Sequence, residues 1–85
     1  MIFFADDWKF PITEDVMMVN GEQRKVFVLL CEYQGERIYG ITSTTSPMAE
    51  SIRLAMEIAV FEGSDPIAAM TGHSTEQVLE LRRER

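Results

Sequence analysis

The chain has one cysteine, one histidine, three prolines and no excess of basic residues, and most of these scarcities remove a class of function. A single thiol, Cys31, can form no internal disulfide and cannot supply the paired cysteines of a zinc ribbon. Eight Lys and Arg stand against fourteen Asp and Glu, a net charge of −6 shared evenly between the two halves. There is neither a basic arm nor an acidic tail, and the surface repels phosphate backbones while suiting solubility and a basic partner. No apolar run approaches the roughly 20 residues of a membrane helix. Met1 to Phe4 is too short for the apolar core of a secretion signal and is stopped by Asp6-Asp7, so a cytoplasmic location is expected. Internal repeats, low-complexity tracts, a glycine-rich phosphate loop and a serine-centred nucleophile motif are also missing. The expectation is a protein without catalytic residues, cofactor or metal.

What is present is apolar mass. Hydrophobic residues make up 46% of 85, which argues for a folded globule, and the length allows one domain, 1–85, around one core. The first half reads as sheet. Asn20-Gly21 and Gln34-Gly35 are turn signals between segments rich in β-branched and aromatic residues. They predict an antiparallel β-meander of three to four strands, with strands near Asp15–Val19, Glu22–Tyr33 and Glu36–Thr42. In the middle strand Val26, Val28 and Leu30 point to one face, and Phe27, Leu29, Cys31 and Tyr33 to the other. A strand apolar on both faces needs cover on both. Helices supply one side. For the other, the segment holding Phe3, Phe4, Trp8, Phe10 and Ile12 or a second copy of the chain are the candidates.

The second half reads as helix. Ser46-Pro47 is a start signal and Gly63 a stop, which gives a long helix over 47–62. Asp65-Pro66 opens a short helix, 66–71, that ends at Gly72. Ser74-Thr75-Glu76-Gln77 fits a capping box and opens a last helix, 75–84, with Arg82, Arg83 and Arg85 where the helix dipole favours cations. Sheet first and helices after makes an α+β domain. On the long helix Glu50, Arg53 and Glu57 form a narrow polar arc. Met48, Ile52, Ala55, Met56 and Ala59 form an apolar side, and Leu54, Ile58 and Phe61 widen it. That breadth asks for cover beyond the sheet, and Val78, Leu79 and Leu81 of the last helix are expected to supply it.

Candidate chemistry is sparse. Cys31 and His73 are the only Cys–His pair, with the thiol mid-strand among apolar residues and the imidazole in a turn before a helix cap, positions that suit a filler and an exposed ring better than a dyad. Asp6-Asp7 and Glu14-Asp15 are adjacent carboxylates that point apart on a strand, without calcium-loop spacing, and His73 with Glu76 offers two ligands at best.

At the C-terminus Ala68, Gly72 and Val78 keep the spacing of small residue, turn glycine and β-branched residue, with Ile67 and Leu81 on supporting apolar positions. Residues 66–85 in this respect resemble the helix-turn-helix of bacterial regulators, although His73 stands where that family usually places an aliphatic residue. The resemblance implies a DNA-binding regulator that presents Thr75, Glu76, Gln77 and Glu80 to the groove. Glutamates beside phosphates and arginines only at the far end speak for a structural hairpin instead.

Six methionines and a front rich in Phe and Trp favour binding over chemistry. Methionine adapts to irregular partners, and Trp8 between Asp7 and Lys9 has the look of an anchor within a polar rim. Phe3, Phe4, Trp8, Phe10 and Met17 are therefore the candidate partner-binding residues. In profile the chain looks like the small acidic proteins of phages and mobile elements that inhibit host machinery by occupying a surface. The expected function is a non-enzymatic protein-binding module, of unknown protein partner, that also forms a dimer. Binding to nucleic acid is the alternative.

Overall fold

The computed structural model describes residues 3–83. Met1, and Glu84 and Arg85 at the expected end of the last helix, lie outside the described residues. The expected α+β order of sheet followed by helices is observed. A 3-10 turn at Ala5–Asp7 leads into strands β1 (Trp8–Lys9), β2 (Ile12–Val19), β3 (Glu22–Tyr33) and β4 (Glu36–Ser43). Helices α1 (Ser46–Phe61), α2 (Pro66–Thr71) and α3 (Thr75–Arg83) follow.

All pairings in the sheet are antiparallel, and β3 is its centre. Trp8 pairs with Tyr33 and Ile12 with Leu29 in one unbroken register, so β1 and β2 are a single edge strand interrupted at Phe10-Pro11. The interruption has a simple cause. Pro11 accepts from Leu30 N–H at 2.8 Å but has no N–H to return the bond. The hairpin turns are those read from the sequence: Asn20 and Gly21 have φ of 53° and 81°, Gln34 and Gly35 of 52° and 80°, as type I′ turns require. A bulge opposite Cys31 places an extra residue in β4, and Ile38 and Tyr39 both reach the core side as a result.

Leu29 and Cys31 of β3 meet Met56 and Val60 of α1, Ile67 of α2 and Val78 of α3 in one core. Trp8 and Phe10 join this same cluster, with Phe3 and Ile12 packed against it. The N-terminal aromatics therefore lie on the helix side of the sheet and do not cover the second face, as one of the two alternatives had it. On that second face Val26 and Leu30 are only 2% and 8% exposed within the single chain.

The helices end as their sequences indicate, with one shift. Thr45, not Ser46, caps α1, its Oγ1 accepting from Met48 N–H at 3.3 Å, and Ser46 becomes the first helical residue. At the other end Gly63 N–H donates to Val60 C=O (2.9 Å) and Ser64 N–H to Ala59 C=O (2.8 Å), a Schellman motif with Gly63 at φ 80°. Ser74 and Gln77 form the reciprocal capping box of α3 at 2.8 and 3.1 Å. Asp65 does more than open α2. Its Oδ1 accepts from Ile67 and Ala68 N–H and from the Thr75 hydroxyl, and its Oδ2 accepts from Thr75 N–H at 2.7 Å. One carboxylate thus caps α2 and clamps the start of α3 to it.

Candidate interaction surface

The isolated reactive side chains are placed apart. Cys31 is fully buried, with its Sγ 3.9 Å from Met56 Sδ, and burial pushes its thiol pKa up to about 12. His73 sits in the exposed turn between α2 and α3, its backbone N–H donating to Thr71 Oγ1 at 3.1 Å. Among the described residues no group of three or more His, Cys, Asp or Glu gathers with metal-holding geometry.

The five residues singled out as a partner site do not form one surface. Trp8 stacks on Phe10 with ring centroids 5.7 Å apart and tilts against Tyr33 at 4.9 Å and Phe3 at 6.3 Å. Trp8 and Phe10 are core residues, and Phe3 is half-buried against them, so Trp8 is not the rim-flanked anchor its neighbours Asp7 and Lys9 suggested. Phe4 and Met17 are exposed, one before the 3-10 turn and the other on β2. Met17 has Val16 and Met18 for exposed neighbours near the tip of the β2–β3 hairpin. Element lengths explain that tip. The twelve residues of β3 extend about 40 Å, whereas the sixteen of α1 rise only about 24 Å, so the helix layer ends before the hairpin does.

A second exposed apolar surface lies on α1. Leu54, Ile58 and Phe61 are 57%, 48% and 86% exposed. At about 100° per residue they share one stripe, opposite the buried Ala49, Met56, Ala59 and Val60. The expected cover from α3 does not arrive. The short α2 packs on α1, while α3 packs on α2 and β4 and leaves Leu81 exposed. Length is not the reason: α2 rises about 9 Å, close to the rise of the stripe, but it packs on another side of α1.

Charged residues border the stripe. Arg53 pairs with Glu50 and, at 3.8 Å, with Glu57, along one side, and exposed Glu62 follows Phe61 on the other. Two cavities open along this face. One, of about 310 Å³, is lined by Glu50, Ser51, Arg53, Leu54 and Glu57. The other, of about 330 Å³, lies where Ala5, Trp8, Lys9 and Phe10 meet Glu57 and Phe61. Glu57 borders both, so the surface is continuous from the first turns of α1 to the N-terminal segment. A third hollow, of about 500 Å³, lies between β4 and α3 and includes Ile38, Leu81, Arg37 and Arg82.

In the α2–turn–α3 hairpin Ile67 and Val78 are buried and Gly72 is left-handed at φ 80°, an arrangement that a structural hairpin and a DNA-reading one share. The solvent side of α3 presents Glu76, Gln77 and Glu80. Arg82 lies 3.6 Å from Glu36 and Arg83 3.4 Å from Glu80, so both cations face carboxylates. No family model matches the chain, and neither a curated protein nor a solved structure matches it.

Proposed function

We propose that this chain is a non-enzymatic protein-binding module that acts by covering a surface of its partner, with the outer face of α1 as the contact. The observation that carries the reading is the position of Leu54, Ile58 and Phe61 in solvent, opposite the core face of their helix. Single exposed apolar residues are ordinary, but three large ones on successive turns, beside two hollows, make a contiguous patch of the kind that marks an interface. Phe4 belongs to the same end of the surface, because its neighbour Ala5 and Phe61 line one cavity. DNA is a poorer partner, since the exposed side of α3 is acidic and Arg82 and Arg83 face carboxylates.

Site-specific photo-crosslinking in the cells that make the protein tests this. A photoreactive residue at position 54 or 61 is expected to yield adducts of discrete mass, and one at Gln23 on the hairpin none. Adducts from all three positions alike, or from 23 alone, would overturn the reading.

A further inference from the structure

We infer that the occupant of the α1 face is a cationic amphipathic helix of another protein; this rests on that face being the contact. The stripe from Leu54 to Phe61 rises about 10 Å, with spacings of four and three residues, which is the repeat of a helix seam. An occupant helix with apolar residues three and four apart matches it turn for turn. Its end side chain has the hollow between Phe61 and the Trp8–Phe10 segment to enter.

Charge decides between occupants. Glu50 and Glu57 line one border of the stripe and Glu62 the other, with Arg53 offsetting a single charge. The chain as a whole carries −6. Pairing this face with a second copy sets acidic border against acidic border. In antiparallel array the Glu50–Glu57 edges meet; in parallel array Glu57 meets Glu62. Like charges across a seam select against that pairing, and a helix flanked by Lys or Arg meets opposite charge on both sides. Lys9, beside the second cavity, and Arg53, on the Glu50–Glu57 border, are cations such a helix must pass.

The test uses two synthetic helical peptides of about 18 residues with identical leucine positions, one flanked by lysine and the other by glutamate. Each is titrated into isotope-labelled protein and followed by amide chemical shifts. The lysine peptide is expected to move the signals of residues 54–61 and 5–10, and the glutamate peptide to move none. Phe61→Ser should weaken the lysine peptide about tenfold, as loss of an aromatic anchor does. The pair Glu50→Gln and Glu57→Gln should weaken it about threefold at low salt, with the difference vanishing at high salt. Equal binding of both peptides at α1 keeps the docking face and overturns the cationic partner. Shifts confined to other elements, indifference to Phe61→Ser, or no binding by either peptide overturns the docking face itself. Phe61 is almost wholly in solvent, so its serine variant keeps the fold, and the wild-type pattern of amide signals verifies this.

Discussion

Asp65 makes four hydrogen bonds with one carboxylate, and two of them satisfy the backbone and hydroxyl of Thr75, which is fully buried. Asp65→Ala leaves those two donors without an acceptor and removes the α2 cap, a loss of about 3 kcal/mol in urea denaturation. Asp65→Asn keeps an oxygen for the α2 amides but turns an NH2 toward Thr75 N–H, and should fall between alanine and wild type. An asparagine variant as stable as wild type would show that Oδ2 contributes nothing. Cys31 gives a second residue-scale test. Its thiol pKa rises from an ordinary 9.0 to about 12 in the fold, so between those values the unfolded chain loses a proton that the folded chain keeps. Its contribution is whole below pH 9 and declines above it by about 1.4 kcal/mol per pH unit. Denaturation of wild type and Cys31→Ala across this range should show the extra slope only in wild type.

At the scale of the element, α1 has two apolar sides with different roles. Met56 is fully buried against Cys31, and Met56→Ala should cost about 3 kcal/mol by opening a cavity. Phe61→Ser removes a side chain that the fold scarcely buries, and should change stability by less than about 0.5 kcal/mol while reducing hydrophobic dye binding. A large destabilisation would mean that the stripe supports the fold. The free edge of β2 is treated differently. Alternation from the Pro11–Leu30 pair turns the N–H of Val16 outward, and Asp15 Oδ1 accepts it at 2.8 Å. The carboxylate thus occupies a donor on which another strand would pair and adds charge to an edge flanked by exposed Val16 and Met18. Asp15→Ala should leave the fold intact and increase aggregation, read as light scattering on warming.

For the whole molecule, charge and the location of apolar surface set what it associates with. The dimer was expected from a middle strand apolar on both faces, and on the second face Val26 and Leu30 are buried within one chain. The acidic borders of α1 oppose self-pairing as well. Sedimentation at micromolar concentration is expected to give a species near 9.7 kDa. A dimer that persists in Phe61→Ser would place self-association away from the α1 stripe. With a net charge of −6 and paired arginines on α3, a mobility-shift assay with random duplex DNA at low salt should show no complex. Tight binding that weakens steeply with salt would make residues 66–85 a recognition unit. Among the described residues no helix is long and apolar enough to cross a membrane.

Features whose partners lie within a few residues were legible in the sequence. The positive φ of Asn20-Gly21, the stop at Gly63 and the capping box of Ser74 and Gln77 are local contests between backbone and side chain, and residue type decides them. The α+β order follows, since each element declares its own periodicity. Only the tertiary structure decided which apolar residues were buried. Trp8 and Phe10 read as surface anchors and became core because their strand runs beside Tyr33 and Cys31 in a register that Pro11 interrupts but does not shift. Leu54, Ile58 and Phe61 read as a covered flank and stayed in solvent, because α2 packs on another side of α1 and α3 turns toward β4. The link from Asp65 to Thr75 spans ten residues and depends on how two helices meet. Hydropathy states that a side chain prefers to leave water; the lengths and directions of neighbouring elements determine whether anything is there to receive it.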